Sequence, residues 1–404
     1  MKNLMLAQSG GPTAAINATM AGAIKLALTS SGVEKIYGAI HGVVGLIEDN
    51  VIDISDIFYD PQNLSLLAAT PAAALGSCRY KMGDDKAVYK RIIDTLIKYE
   101  VGYFVYIGGN DSMDTVLKLS RYCKDNSIDI KIMGAPKTID NDLCETDHTP
   151  GFGTAAKYIA VSVSELFRDI SVYSSPNVLV CEIMGRHAGW LTCAAALANI
   201  NGQGGAQLIY VPEVPFSEER FLEDVRKALT TTPFVIVAVS EGVKDANGEL
   251  ICERQGGAKT SDVFGHKNLS GVGQYLGGLV KREIGCKTRH IEFNLLQRCS
   301  AHIASKADID EAHMLGAAAL DRALNGGSGE MSVIKRISSK PYKFKIGTTH
   351  IENVANREKT VPLEWLNEER NNVTQEMIDY LAPLIYGEYQ VKYKNGIPEH
   401  IKLY

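Results

Sequence analysis

The stretch Ile132-Met133-Gly134-Ala135-Pro136-Lys137-Thr138-Ile139-Asp140-Asn141-Asp142 is the most telling in this chain. Its first four residues form an apolar run that reads as a strand. One ammonium and two carboxylates then follow at the strand's carboxyl end, which is where open α/β sheets bind ligands. Read as extended backbone, Thr138, Asp140 and Asp142 share a face, because side chains alternate along a strand. Such a cluster suits phosphoryl chemistry: one carboxylate takes a hydroxyl proton, another stands near a magnesium ion, and the cation meets the moving phosphoryl group. The plainer alternative is a solvated acidic turn.

Outward from this stretch, the sequence of short apolar run, glycine and helix-like period recurs, as in mostly parallel sheets. Leu4 to Ala7 leads into Ser9-Gly10-Gly11-Pro12 and a helix over Ala14 to Leu28. Tyr103 to Ile107 leads into Gly108-Gly109-Asn110-Asp111-Ser112 and a helix through Tyr122. Past Pro150-Gly151-Phe152-Gly153 the pattern restarts with a helix over Ala155 to Phe167 and a strand over Val178 to Ile183. Met184-Gly185-Arg186 follows, then a helix through Ala198, and a strand over Phe234 to Val239 that ends at Ser240-Glu241-Gly242. The fold class predicted is α/β: two Rossmann-like three-layer α/β/α domains with mostly parallel sheets and a cleft between them. One spans residues 1–150 and is rejoined at 299–327, where Ala312 to Leu324 reads as a helix; the other spans 151–298. Residues 328–404, rich in Lys, Glu, Asn and Tyr, are expected to add a surface-covering extension with a final strand or two.

With 404 residues, 45% of them hydrophobic, the chain can bury sizeable cores. A net charge of -5 argues against a general nucleic-acid binder, so a phosphate ligand must be held by locally placed Lys and Arg. The eight cysteines form no C-x-x-C pair and read as buried, reduced thiols of a cytoplasmic protein. The opening residues are too short an apolar run for a signal peptide, and no run approaches the ~20 residues that cross a bilayer.

Several motifs allow two readings. Gly10-Gly11 between strand and helix is either a phosphate cradle or a tight turn that needs glycine. In Gly108-Gly109-Asn110-Asp111-Ser112 the polar residues read as an N-cap, or Asp111 fills the place of one phosphate of a longer donor. Arg186, Arg79, Arg289 and Arg298 are candidates for phosphate contacts, although an arginine is commonly a surface ion-pair partner. Gly151-Phe152-Gly153-Thr154-Ala155-Ala156 fits a dinucleotide fingerprint, but the polar residues before it form no strand, so it reads as a hinge and helix start. Gly257-Ala258-Lys259-Thr260 resembles part of a phosphate loop without its full spacing. The nine histidines show no ligand spacing, and His187 reads as structural.

Taken in order, Ser9-Gly10-Gly11, Leu75-Gly76-Ser77 with Arg79, Gly108-Gly109-Asn110-Asp111-Ser112, Thr138-Ile139-Asp140-Asn141-Asp142, Met184-Gly185-Arg186, Glu241 and Gln297-Arg298 resemble the phosphofructokinase family from residue 4 to about 320. ATP-using members usually have glycine at the positions of Asp111 and Lys137; Asp and Lys there resemble the pyrophosphate-dependent members. The resemblance implies a cytoplasmic, Mg2+-dependent enzyme of glycolysis and gluconeogenesis, with pyrophosphate and fructose 6-phosphate as substrates and a homodimeric or homotetrameric assembly. Its first domain would bind the phosphoryl donor and its second the sugar phosphate. By resemblance Asp140 is the general base for the sugar 1-hydroxyl, and Thr138 and Ile139 help position the substrate. Asp111 occludes the ATP α-phosphate site, and Lys137 stabilises the transferring group. Met184, Gly185, Arg186, Glu241, Arg289 and Arg298 contact the sugar phosphate, while Gly10 and Gly11 touch pyrophosphate.

The chain departs from the family at four places. Asn110 stands where a metal-associated aspartate is usual, which leaves Asp142 to assist the metal through water. Asn177 replaces an arginine that reaches a neighbouring subunit's substrate, Leu295 a substrate-binding histidine, and Cys299-Ser300 a glycine pair. The alternatives left open are an ATP-dependent kinase of the same fold and a non-catalytic sugar-phosphate-binding homologue. The intact set Lys137, Asp140, Asp142 and Arg186 speaks against the second.

Overall fold

The computed structural model describes residues 2–255 and 269–404, and the Gly257-Ala258-Lys259-Thr260 stretch lies outside them. Strands β1 (Lys2–Gln8), β2 (Val33–Ala39), β3 (Val51–Asp53), β4 (Val101–Gly108) and β5 (Lys131–Pro136) come first, and β6 (Asn177–Ile183), β7 (Leu208–Tyr210), β8 (Phe234–Ser240) and β9 (Lys287–Glu292) follow. The strands β10 (Glu330–Ser339) and β11 (Tyr342–His350) come later. The chain divides into two compact units, Met1–Thr154 with Arg298–Glu358 and Tyr386–Tyr404, and Ala155–Gln297 with Lys359–Ile385.

In the first unit the strands order as β11-β10-β5-β4-β1-β2-β3. The inner neighbours are parallel, and β3 and β11 pair antiparallel at the two edges. Successive residues of β1 and β4 alternate between two cores. Leu4, Leu6, Val105 and Ile107 pack with the helices Ile16–Thr29 and Lys306–Leu324 on one face. Met5, Ala7, Phe104 and Tyr106 pack with Lys86–Lys98 and Asn110–Asp125 on the other. Burial on both faces explains why these strands read as unbroken apolar runs. Ile16–Thr29 and Lys306–Leu324 touch backbone to backbone: a Cβ on Gly22 would strike the carbonyl of His313, and one on Gly316 the carbonyl of Thr19.

The second unit carries a parallel sheet in the order β7-β8-β6-β9. Val178, Val180, Val235, Val237 and Val239 pack there with the helices Glu218–Leu229 and Val272–Glu283. Ser217 caps the first of these by accepting from Arg220 N, and Glu218 and Glu219 in its first turn with Arg226 and Lys227 in its last complement the helix dipole.

Some elements differ from the sequence expectation. The first helix starts at Ile16 and not at Ala14, because Thr13 Oγ1 accepts from Ile16 N at 3.0 Å and holds the entry turn. The helix expected over Ala155 to Phe167 runs Phe152–Ser171. Residues 328–404 are not one appended piece. β10 extends the first sheet beside β5, residues 359–385 join the second unit, and residues 386–404 return to the first. The polar look of this region comes from β11, an edge strand whose alternate lysines, Lys343 and Lys345, face solvent. None of the eight cysteines forms a disulfide; Cys78, Cys144 and Cys286 are half-buried and Cys299 is exposed, contrary to the expectation of burial. Among the described residues no helix is long and apolar enough to cross a membrane.

Candidate active site

Strands β1, β4 and β5 are neighbours and parallel, so the loops that leave their carboxyl ends emerge together. The strand order reverses between β1 and β4, the place where doubly wound sheets open a ligand crevice. Ser9 N donates to Ile107 O at 3.0 Å and Lys137 N to Gly108 O at 2.9 Å, which carries the ladder one residue past each strand. Ser9 and Ser112 are joined through their hydroxyls.

Lys137 is 3% exposed, and its ammonium donates to Gly11 O at 2.8 Å. It lies 3.0 Å from where a Cβ on Gly10 would be, a tight approach, and Gly10 has φ +78°, so the backbone at position 10 favours glycine. Arg298 Nη1 is 3.4 Å from the corresponding point on Gly11. The two readings of Gly10-Gly11 therefore merge: the tight turn is also a seat for a cation. Burial lowers the ammonium's pKa, the Asp140 and Asp142 carboxylates oppose that, and Arg298 and Arg79 lower it further, so that it falls from 10.5 to about 8. Arg298 thus stands with the donor-side cluster.

The expectation that Thr138 to Asp142 form extended backbone is corrected. β5 ends at Pro136, and Asn141 is left-handed at φ 55°, so alternation cannot bring Asp140 and Asp142 together. A turn does so instead. Thr138 Oγ1 accepts from Asp140 N at 3.1 Å, and Thr138 O accepts from Thr149 Oγ1 at 2.7 Å. Ile139 is buried, so substrate would meet its backbone only.

The N-cap reading of Asn110 to Ser112 is also corrected. Gly109 is the cap, without a side-chain bond, and Asn110, Asp111 and Ser112 lie inside the helix Asn110–Asp125. That leaves Asp111 in the first turn, where the helix dipole favours a carboxylate. The Asn110 amide donates to Arg357 O and accepts from Asn356 N, each at 2.6 Å. Both of its polar atoms thus help to tie down residues 356–357, and the second lone pair of Oδ1 is what it would offer a cation. Among the described residues no three His, Cys, Asp or Glu side chains converge on a metal site. What remains, Asp142 beside Asp140, fits a hard cation held mainly by phosphate oxygens.

The sequence reading missed two supports. Ser77 Oγ donates to Gly10 O at 2.6 Å and Gly10 N to Cys78 O at 3.0 Å, so the 75–79 loop walls the glycine turn. Buried Asp308 accepts from Gly151 N and Thr154 N, each at 2.9 Å, and so caps the helix Phe152–Ser171. That helix end is occupied by a carboxylate, in keeping with the discounted dinucleotide motif. Ser77 could be reached through its motif; Asp308, far away in sequence, gave no local signal.

In the second unit, β6 ends at Ile183 and β8 at Ser240, and Glu241 N donates to Ile183 O at 2.9 Å. Met184 N donates to Gln297 Oε1 at 3.3 Å and Gly185 N to Glu241 Oε1 at 3.5 Å. A Cβ on Gly242 would strike the Arg186 carbonyl. Met184, Gly185, Arg186 and Glu241 therefore form one group. Arg289 does not join it: it is exposed in the middle of edge strand β9, opposite Leu179.

Residues 3–323 match the Phosphofructokinase family. The chain is 41% identical over 407 residues to the pyrophosphate–fructose 6-phosphate 1-phosphotransferase of Xanthomonas campestris pv. campestris, covering 99% of this chain and 96% of that one. It is 37% identical, with the same coverage of each, to the protein of that name from Halomonas elongata. Among solved structures, it is similar to the pyrophosphate-dependent phosphofructokinase of Nitrosospira multiformis, with a TM-score of 0.90, 38% identity, and coverage of 99% and 96% of the two chains.

Proposed function

The chain belongs to the phosphofructokinase family, and on that premise we propose how its own residues run the reaction. It transfers a phosphoryl group from pyrophosphate to the 1-hydroxyl of fructose 6-phosphate, giving fructose 1,6-bisphosphate and phosphate, a step of glycolysis.

Pyrophosphate binds over Gly10 and Gly11, where Lys137 meets its oxygens, with Arg298 and Arg79 adding positive charge. Asp140 takes the proton of the sugar 1-hydroxyl as that oxygen attacks the outer phosphorus, and the bridging P–O bond breaks to release phosphate. Thr138 holds Asp140 through its turn. Met184, Gly185, Arg186 and Glu241 hold the sugar phosphate, and Arg289 would serve it only from a second copy of the chain, within the homodimer or homotetramer. A divalent cation, Mg2+ by its preference for phosphate oxygens, would supply neutralisation of charge on the pyrophosphate. Asp142 would hold it through water. Donor and product are both phosphoryl compounds of similar energy, so the reaction runs in either direction. We place the enzyme in the cytoplasm, where its free thiols stay reduced.

One observation carries this reading: a buried ammonium seated on Gly10-Gly11. The carboxylate Asp111, in the first turn of the helix Asn110–Asp125, supports pyrophosphate over a longer donor. A donor panel tests it. Turnover of fructose 6-phosphate with pyrophosphate, and of fructose 1,6-bisphosphate with phosphate, is expected; robust turnover with ATP alone would overturn the donor assignment.

A further inference from the structure

The loop that walls the Gly10-Gly11 turn is gripped from two sides. From within, a buried amide pair holds it: Asn17 Nδ2 donates to Thr70 O at 2.8 Å, Asn17 Oδ1 accepts from Ala74 N at 3.0 Å, and Gln8 Oε1 accepts from Leu75 N at 3.0 Å. From outside, the segment Glu399–Tyr404 crosses it. Ile401 N donates to Thr70 Oγ1 at 2.9 Å, and Ile401 and Leu403 pack on the same core as Ala73 and Ala74. The Tyr404 ring meets His41 edge-on, with centroids 6.1 Å apart.

Both rings close on one residue. Gly76 has φ +69°, and a Cβ there would run into His41 and lie 2.8 Å from the Tyr404 hydroxyl. His41 N also donates to Leu75 O at 2.8 Å. The next residue, Ser77, holds Gly10 O, and Arg79 stands close enough to Lys137 to lower its pKa. We infer that Glu399–Tyr404 is a positioning strap for the pyrophosphate site: Tyr404 and His41 pin Gly76, and this sets Ser77 and Arg79 against Gly10-Gly11 and Lys137. The inference rests on the donor assignment made above.

Because Tyr404 is 53% exposed, its replacement should leave the fold intact. We expect Tyr404→Ala and His41→Ala to raise the KM for pyrophosphate roughly tenfold, within the range that small misplacement of binding groups produces. The KM for fructose 6-phosphate should stay within about twofold of the wild type, a ratio too small to count as loss of a contact. Tyr404→Phe keeps the ring against His41 and loses only the hydroxyl beside Gly76, so its KM for pyrophosphate should fall between those of Tyr404→Ala and the wild type. Calorimetric titration with imidodiphosphate, a non-transferable pyrophosphate analogue, separates the two ideas. No binding to the wild type defeats the donor assignment; binding to the wild type and equally to both alanine variants defeats the strap. Equal rises in the KM of both substrates would also overturn it, since they would show a general structural effect.

Discussion

Lys137 holds a charge where charge is disfavoured. Its folded pKa, about 8, lies below the ordinary 10.5, chiefly through burial. For a base whose pKa is depressed, folding is opposed in full below pH 8, and the penalty is relieved as the pH rises from 8 towards 10.5. In the proposed reaction catalysis runs the opposite way, because only a protonated Lys137 would attract the phosphoryl oxygens. The kcat/KM for pyrophosphate is therefore expected to fall as the pH rises through about 8, and Lys137→Met to lose on the order of 10²–10³-fold in kcat without losing thermal stability at neutral pH. Retained pH dependence in that variant would refute the assignment. At Asp140, replacement by Asn should lower kcat by about 10²–10⁴-fold with an unchanged unfolding midpoint; undiminished turnover would remove it as the base. The types of these side chains were legible in the sequence. Their arrangement was not, because the left-handed Asn141 bends the chain where alternation assumes it straight.

Among elements, the helix Asn110–Asp125 bears on donor choice. Asp111 lies in its first turn, and Asn110 bonds the backbone of residues 356–357. Asp111→Gly combined with Lys137→Gly should weaken pyrophosphate use by on the order of 10²–10³-fold, as for Lys137 alone, since the seated cation is removed and Asp111 serves only to exclude a longer donor. Initial rates against pyrophosphate would reveal this, and unchanged kinetics would leave donor choice unexplained. The strands and helices around these loops could be read from periodicity, because β1, β4 and β6 are apolar on both faces. Less visible was what holds the elements to one another. The partners of Asn110 and of Gly151 lie far along the chain, and neither Asn356 nor Asp308 belongs to a recognisable motif.

At the scale of the molecule, distant segments of the first unit meet at a buried charge network. His148 Nδ1 lies 2.8 Å from Asp147 Oδ2, and Nε2 lies 2.5 Å from Glu311 Oε2. Arg336 brackets the Asp147 carboxylate, and Tyr342 donates to Glu311 Oε1 at 2.7 Å. Burial alone would lower the histidine's pKa, but Glu311 and Asp147 outweigh it and raise the value from 6.5 to about 9. Its stabilising contribution is therefore complete below pH 6.5 and lost as the pH rises through about 9. Across that window the unfolding midpoint of the wild type should fall relative to that of His148→Gln; parallel curves would exclude the charged network. Residues 328–404 were the least legible part, since a polar edge strand reads like a surface appendage when its buried partner strand is out of view. The contact of Gly22 and Gly316 has a further consequence, which concerns synthesis. The helix Ile16–Thr29 behind the glycine turn is synthesised long before Lys306–Leu324, the helix it touches backbone to backbone. The backing of the glycine turn is therefore completed only once Lys306–Leu324 has been made, and until then the nascent first unit carries an uncovered apolar helix face, the kind of surface that aggregates unless it is shielded.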